Sequence, residues 1–126
     1  MIARLIAAIV GAFYVGAGLW SFLVPTNFYS NVASFAPYNL HLLHDVGAFQ
    51  VGLGGALIAG ALVGRALLPA LIGALAGSVL HLLAHVLDVR LGGHPATDLP
   101  ALSVLALGLA LALYLEVARP RRDTAR

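Results

Sequence analysis

HLLHDVGAFQVGLGGALIAGALVGRALLPALIGALAGSVLHLLAHVLD, residues 41–88, decides the fold. Between Asp45 and His81 its only charged residue is Arg65. On either side of that arginine lies an apolar run close to the ~20 residues that a membrane-crossing helix requires. The pair Gly64-Arg65 is too short for anything but a tight turn. The two runs, about 46–63 and 66–87, are therefore expected to be antiparallel neighbours. Pro69 falls in the first turn of the second run, where a missing N–H is tolerated.

Working outward, two more runs of the same kind appear. Residues about 5–24 are apolar and stop at Pro25, and residues about 99–117 begin around Pro100 and stop before Pro120. No small-x-small cleavage site follows the first run before Pro25, so it is expected to be a retained helix rather than a signal peptide. The expected fold is all-α, an integral membrane four-helix bundle forming a single domain over residues 1–126. A basic tail, 118–126, follows the last span.

The bulk composition agrees. Of the 126 residues, 61% are hydrophobic and 10% charged, against about 25% charged in soluble domains. A free soluble enzyme is excluded because too little polar surface exists to coat it. Disorder is excluded because disordered chains are poor in apolar residues. There is no cysteine, so disulfides, thiolate metal sites and thiol catalysis are absent. The net charge of +2 comes with seven arginines and no lysine. These lie at the edges of apolar runs, which is a membrane pattern and not a nucleic-acid one.

Arginine placement also orients the chain. Arg4, Arg65, Arg119, Arg121, Arg122 and Arg126 fall on one side of a four-span arrangement, and only Arg90 on the other. Both termini and the Gly64-Arg65 turn are expected in the cytoplasm, with the chain in the inner membrane. Segments 25–44 and 88–98 then face the periplasm or cell exterior. The first of these carries Phe28, Tyr29, Phe35 and Tyr38 among Asn27, Asn31 and Asn39. That composition suits a short interfacial segment between the first two spans.

Lipid provides no hydrophobic drive between helices, so small residues mark contacts. Four-residue ladders occur at Ala8, Ala12 and Gly16; at Ala48, Gly52, Ala56, Gly60 and Gly64; and at Ala66, Ala70, Ala74 and Ser78. Each is expected to form a smooth stripe, with a spare one available for a homodimer or a larger membrane complex.

Ionisable residues in membrane spans are costly and point to function. His41, His44 and Asp45 open the second span, His81, His85 and Asp88 close the third, and His94 and Asp98 follow. All are expected at the outer end. His81, His85 and Asp88 share a helix face by their i, i+4, i+7 spacing. If the ladders face inward, the two clusters converge. The expected site is then a metal centre built from His41, His44, Asp45, His81, His85 and Asp88. Imidazoles and carboxylates suit zinc, iron, manganese or copper, with redox or hydrolytic chemistry on a lipid-soluble substrate. The same residues admit a haem, or a non-catalytic pocket for a quinone or small apolar ligand. They also admit a structural role, with the side chains bonding one another. Gln50, on the far face from Asp45, is expected to bond another helix or a partner.

The segments "GLWSFLVP", "HDVGAFQVGLGGALIAGAL", "VGRALLPAL" and "HLLAHVLD" resemble the DoxX-like group of small four-helix bacterial membrane proteins. The resemblance covers nearly the whole chain. It implies a four-helix architecture, with a link in some members to quinone-dependent oxidoreductase systems. It carries no functional residue over to this chain.

Overall fold

The computed structural model describes residues 1–119; most of the basic tail lies outside the described residues. Five helices follow in order: α1 (Ile2–Leu23), α2 (Pro25–Asn31), α3 (Leu40–Val63), α4 (Leu67–Leu87) and α5 (Pro95–Val117). Among the described residues there is no strand, only an isolated bridge between Phe35 and Gly92. α1, α3, α4 and α5 are each long and apolar enough to cross a membrane.

Two of these helices start earlier than expected. Asn39 caps α3, its side-chain oxygen accepting from the Leu42 N–H at 3.1 Å. That cap satisfies an otherwise orphaned donor and draws the helix start back to Leu40. His41, His44 and Asp45 therefore sit inside the first turns of α3. α5 begins at Pro95, a residue pre-set for a first helical turn. Pro100, expected to open this helix, lies inside it.

Most of the largest side chains point away from the other helices. Phe49 is 80% exposed, Leu62 77% and Leu107 69%. In water such a surface would aggregate; against hydrocarbon it is in its preferred solvent. The interior packs Leu57, Leu67, Leu71 and Leu109 among small or polar groups that include Ala7, Ala74, Ala112, Ser21 and Ser78.

α1 and α3 make the closest pair, and glycines set the approach. A Cβ placed on Gly54 would stand 2.5 Å from the Gly11 carbonyl oxygen, and one on Gly18 2.7 Å from that of Gly47. Gly11 meets Gly54 and Gly18 meets Gly47, so the two helices run antiparallel. The contact residues are seven apart. The expected four-residue ladders on these helices are not the seam: Ala12, Gly16, Ala48, Gly52 and Ala56 are exposed. The reason is geometric. On a helix of 3.6 residues per turn, each four-residue step swings the side chain by about 40°. A seven-residue step returns within about 20° of the starting face. A strict ladder of fours winds round the helix, while a repeat of sevens stays on it. α4 packs mainly on α5 and to a lesser extent on α3, and α1 also touches α5. The part of the third ladder that is buried, Ala74 and Ser78, faces this interior.

Candidate functional site

At the end of the molecule that carries α2, the helices splay around a cavity of about 620 Å³. Gly16, Ala17 and Trp20 of α1 form one wall, and α2 closes it with Phe28. α2 is held there by its own contacts. The Trp20 ring donates through Nε1 to Asn27 Oδ1 at 2.9 Å, and meets the Phe28 ring edge-on at 5.5 Å. The 32–39 segment is pinned from below by Gly92, whose φ of +142° permits the bridge to Phe35. A Cβ on Gly92 would stand 2.7 Å from the Ser34 carbonyl oxygen. Glycine is required there on both counts.

Tyr14 lies at the deep end of the cavity. Ser78 donates its hydroxyl to the Ala74 carbonyl at 2.7 Å, so the 2.6 Å contact between Tyr14 and Ser78 has the tyrosine as donor. This bond ties α1 to α4 across the interior, and both hydroxyls are satisfied.

The polar end is made by α4 and the start of α5. His81 and His85, one turn apart, bring their Nε2 atoms to 3.1 Å. His85 Nδ1, on the opposite side of the ring, faces Asp98 Oδ2 at 3.8 Å. Asp98 is fixed in turn: Oδ2 accepts from the His94 backbone N–H at 2.7 Å, while the Thr97 hydroxyl, donated to the His94 carbonyl at 3.0 Å, lies 3.3 Å from Oδ1. The Phe35 ring stands edge-on to His85 at 5.7 Å. His81, His85 and Asp98 all line the cavity. They form one chain, carboxylate to imidazole to imidazole, on an otherwise apolar and aromatic wall.

Of the six expected site residues, only His81 and His85 line the cavity. His41 and Asp45 form their own pair at 3.5 Å, with side chains 88% and 52% exposed. His44 packs its ring against Phe22 of α1 at 4.9 Å. Asp88 is exposed at the end of α4. The cause is the seam described above. The buried stripe of α3 runs through Leu43, Gly47, Gly54 and Leu57, which turns His41 and Asp45 outward.

Among the described residues, no three His, Asp or Glu side chains lie where they could hold one metal ion. Asp98 cannot complete the His81–His85 pair, because it approaches the far nitrogen of His85. A haem held by one histidine from each helix would need His41 or His44 opposite His81 or His85; His41 instead pairs with Asp45 and His44 packs on Phe22.

Two residues of the site lie outside the expected metal set. Asp98 follows the third span in sequence; the run His94-Pro95-x-x-Asp98, a helix start with an acid in its first turns, is the signal that places it at the start of α5. Gln50 was expected to bond another helix. It lines the cavity instead, and its Oε1 is buried with no protein partner.

Comparison of the chain with known protein families, with curated proteins and with solved structures finds no match.

Proposed function

We propose that this chain is an integral membrane protein that binds a small apolar ligand in the cavity beneath α2. The observation that carries this is the cavity itself. Its volume, about 620 Å³, lies within the ~300–1,000 Å³ of small-molecule sites. Its wall is apolar and aromatic with a few convergent polar groups, which is the composition such sites have. The apolar wall takes the body of the ligand. His81, backed by His85 and Asp98, and Gln50 meet its polar part.

In the proposed arrangement the four long helices cross the inner membrane as a bundle with both termini cytoplasmic. The arginine distribution supports this orientation. The cavity then lies near the outer face, and α2 rests at the membrane–water boundary with Trp20, Tyr29 and Tyr38 around it. The role proposed for it is that of a binding or accessory protein. A quinol, the reduced form of a quinone, is one of the ligand classes that would fit.

Gly16→Leu tests the proposal. Gly16 lines the cavity, and a Cβ there meets nothing within 4 Å. The substitution should therefore fold well while its side chain enters the space. Native mass spectrometry of the wild type in mild detergent should show a small-molecule adduct or an exchangeable added ligand. The variant should bind neither. Equal ligand occupancy in both proteins would refute the cavity as the site.

A further inference from the structure

The polarity of the histidine chain specifies the ligand's head group, given the cavity-binding reading above. Several polar side chains on the cavity wall are already committed. Tyr14 is bonded to Ser78, Trp20 to Asn27, and Asn39 to the Leu42 N–H. Two are left open. Gln50 Oε1 is buried with no protein partner among the described residues, and His81 has one ring nitrogen spent on His85 and the other, Nδ1, unspent.

Proton bookkeeping decides what His81 offers. A carboxylate accepts only, so Asp98 favours the proton on His85 Nδ1, which faces it. In neutral His85 the Nε2 is then an acceptor. The 3.1 Å contact therefore requires His81 to donate through Nε2. Neutral His81 has no second proton, so its Nδ1 is an acceptor. Adding one proton to the chain makes His85 a donor at both nitrogens. His81 must then accept at Nε2 and donate from Nδ1. The two rings, with centroids 4.9 Å apart, do not both hold a positive charge at low cost.

We propose that the cavity selects neutral apolar molecules whose head is a hydroxyl, donated to His81 Nδ1. A hydroxyl both donates and accepts, so while donating to His81 it can still accept from the amide nitrogen of Gln50, and it suits either state of the histidine chain. An ether or ester of the same body can only accept, and it leaves His81 unpaired when the chain is neutral. Asp98 and His85 act as positioning residues, since they fix the tautomer of His81 without touching the ligand through its accepting nitrogen.

The test uses 4-hexylphenol and its methyl ether, titrated at pH 8.5, where imidazoles are ordinarily neutral. The full chain, held in lipid nanodiscs, is monitored by the fluorescence of Trp20, its only tryptophan. The phenol should bind about three- to tenfold more tightly than the ether, the value of one hydrogen bond. In His81→Ala that ratio should fall to about one while the ether binds as before. Equal affinities in the wild type would overturn the inference and leave the cavity reading standing. A ratio that persists in His81→Ala would overturn the assignment to His81. Failure of both molecules to bind would overturn both readings. If the variant does not fold, ¹⁵N NMR of the wild type replaces it. His81 Nδ1 should be unprotonated and should shift on adding the phenol but not the ether; no shift would overturn the proposal.

Discussion

Gly54 and Gly55 are neighbours on α3, and the same substitution at each should have opposite consequences. A Cβ on Gly54 would lie 2.5 Å from the Gly11 carbonyl oxygen and 2.8 Å from the Val15 nitrogen. Both are backbone atoms of α1, so no side chain can swing aside. Reaching an ordinary contact of ~3.5 Å means moving α1 and α3 apart by roughly 1 Å. A Cβ on Gly55 meets nothing within 4 Å. The change in helix propensity is the same at both positions, favouring Ala by about 0.5–1 kcal/mol. Their difference thus isolates the steric term, about 1–3 kcal/mol for overpacking. Gly54→Ala should be destabilised relative to Gly55→Ala by that amount, with Gly55→Ala at or above wild-type stability. Unfolding in mixed micelles by added SDS, followed by far-UV circular dichroism, measures it. Equal midpoints for the two variants would refute the seam of sevens between α1 and α3.

Other consequences can be checked with the same preparations. Ser78→Ala leaves the Tyr14 hydroxyl buried without a partner, whereas Tyr14→Phe leaves Ser78 still bonded to the Ala74 carbonyl. Ser78→Ala should therefore be the costlier, by about 1 kcal/mol, in the same unfolding assay. Asp98→Ala removes the acceptor for the His94 N–H, while the Thr97 hydroxyl keeps the His94 carbonyl. It should cost about 1 kcal/mol, as for a lost helix cap, and hydrogen exchange should rise in the first turn of α5. The chain has no cysteine, so single cysteines report sidedness directly. His41→Cys should react with a membrane-impermeant maleimide in intact cells and Arg65→Cys only after lysis; the reverse pattern would invert the proposed orientation.

The four apolar helices were legible because length and hydropathy alone identify them. Their ends were legible where a turn is forced, as at Gly64, and not where a side chain decides, as with Asn39 drawing α3 back to Leu40. The helix faces were misread because small residues are abundant and the ladder of fours is easily seen. The seam depends on Gly11, Gly18, Gly47 and Gly54, which differ from other glycines only by their spacing of seven. That choice of face controlled the site. With Leu43 and Gly47 inward, His41 and Asp45 turn outward, and only the His81–His85 pair of the expected residues meets the cavity. The partner of that pair, Asp98, comes from a separate helix whose approach no local pattern specifies. The cavity was not legible at all. It arises from the aromatic contacts of Trp20 and Phe28 that set α2 over the helix ends, and from the Phe35–Gly92 bridge that holds the following segment.

The central claim is that the space beneath α2 is a ligand site, and Trp20 on its wall can report on it. Quenching of Trp20 by a brominated alkylphenol in nanodiscs, compared between wild type and Gly16→Leu, tests the claim most directly. The account predicts saturable one-to-one quenching in the wild type and only a shallow, non-saturating decline in the variant. Identical quenching curves in the two proteins would contradict it.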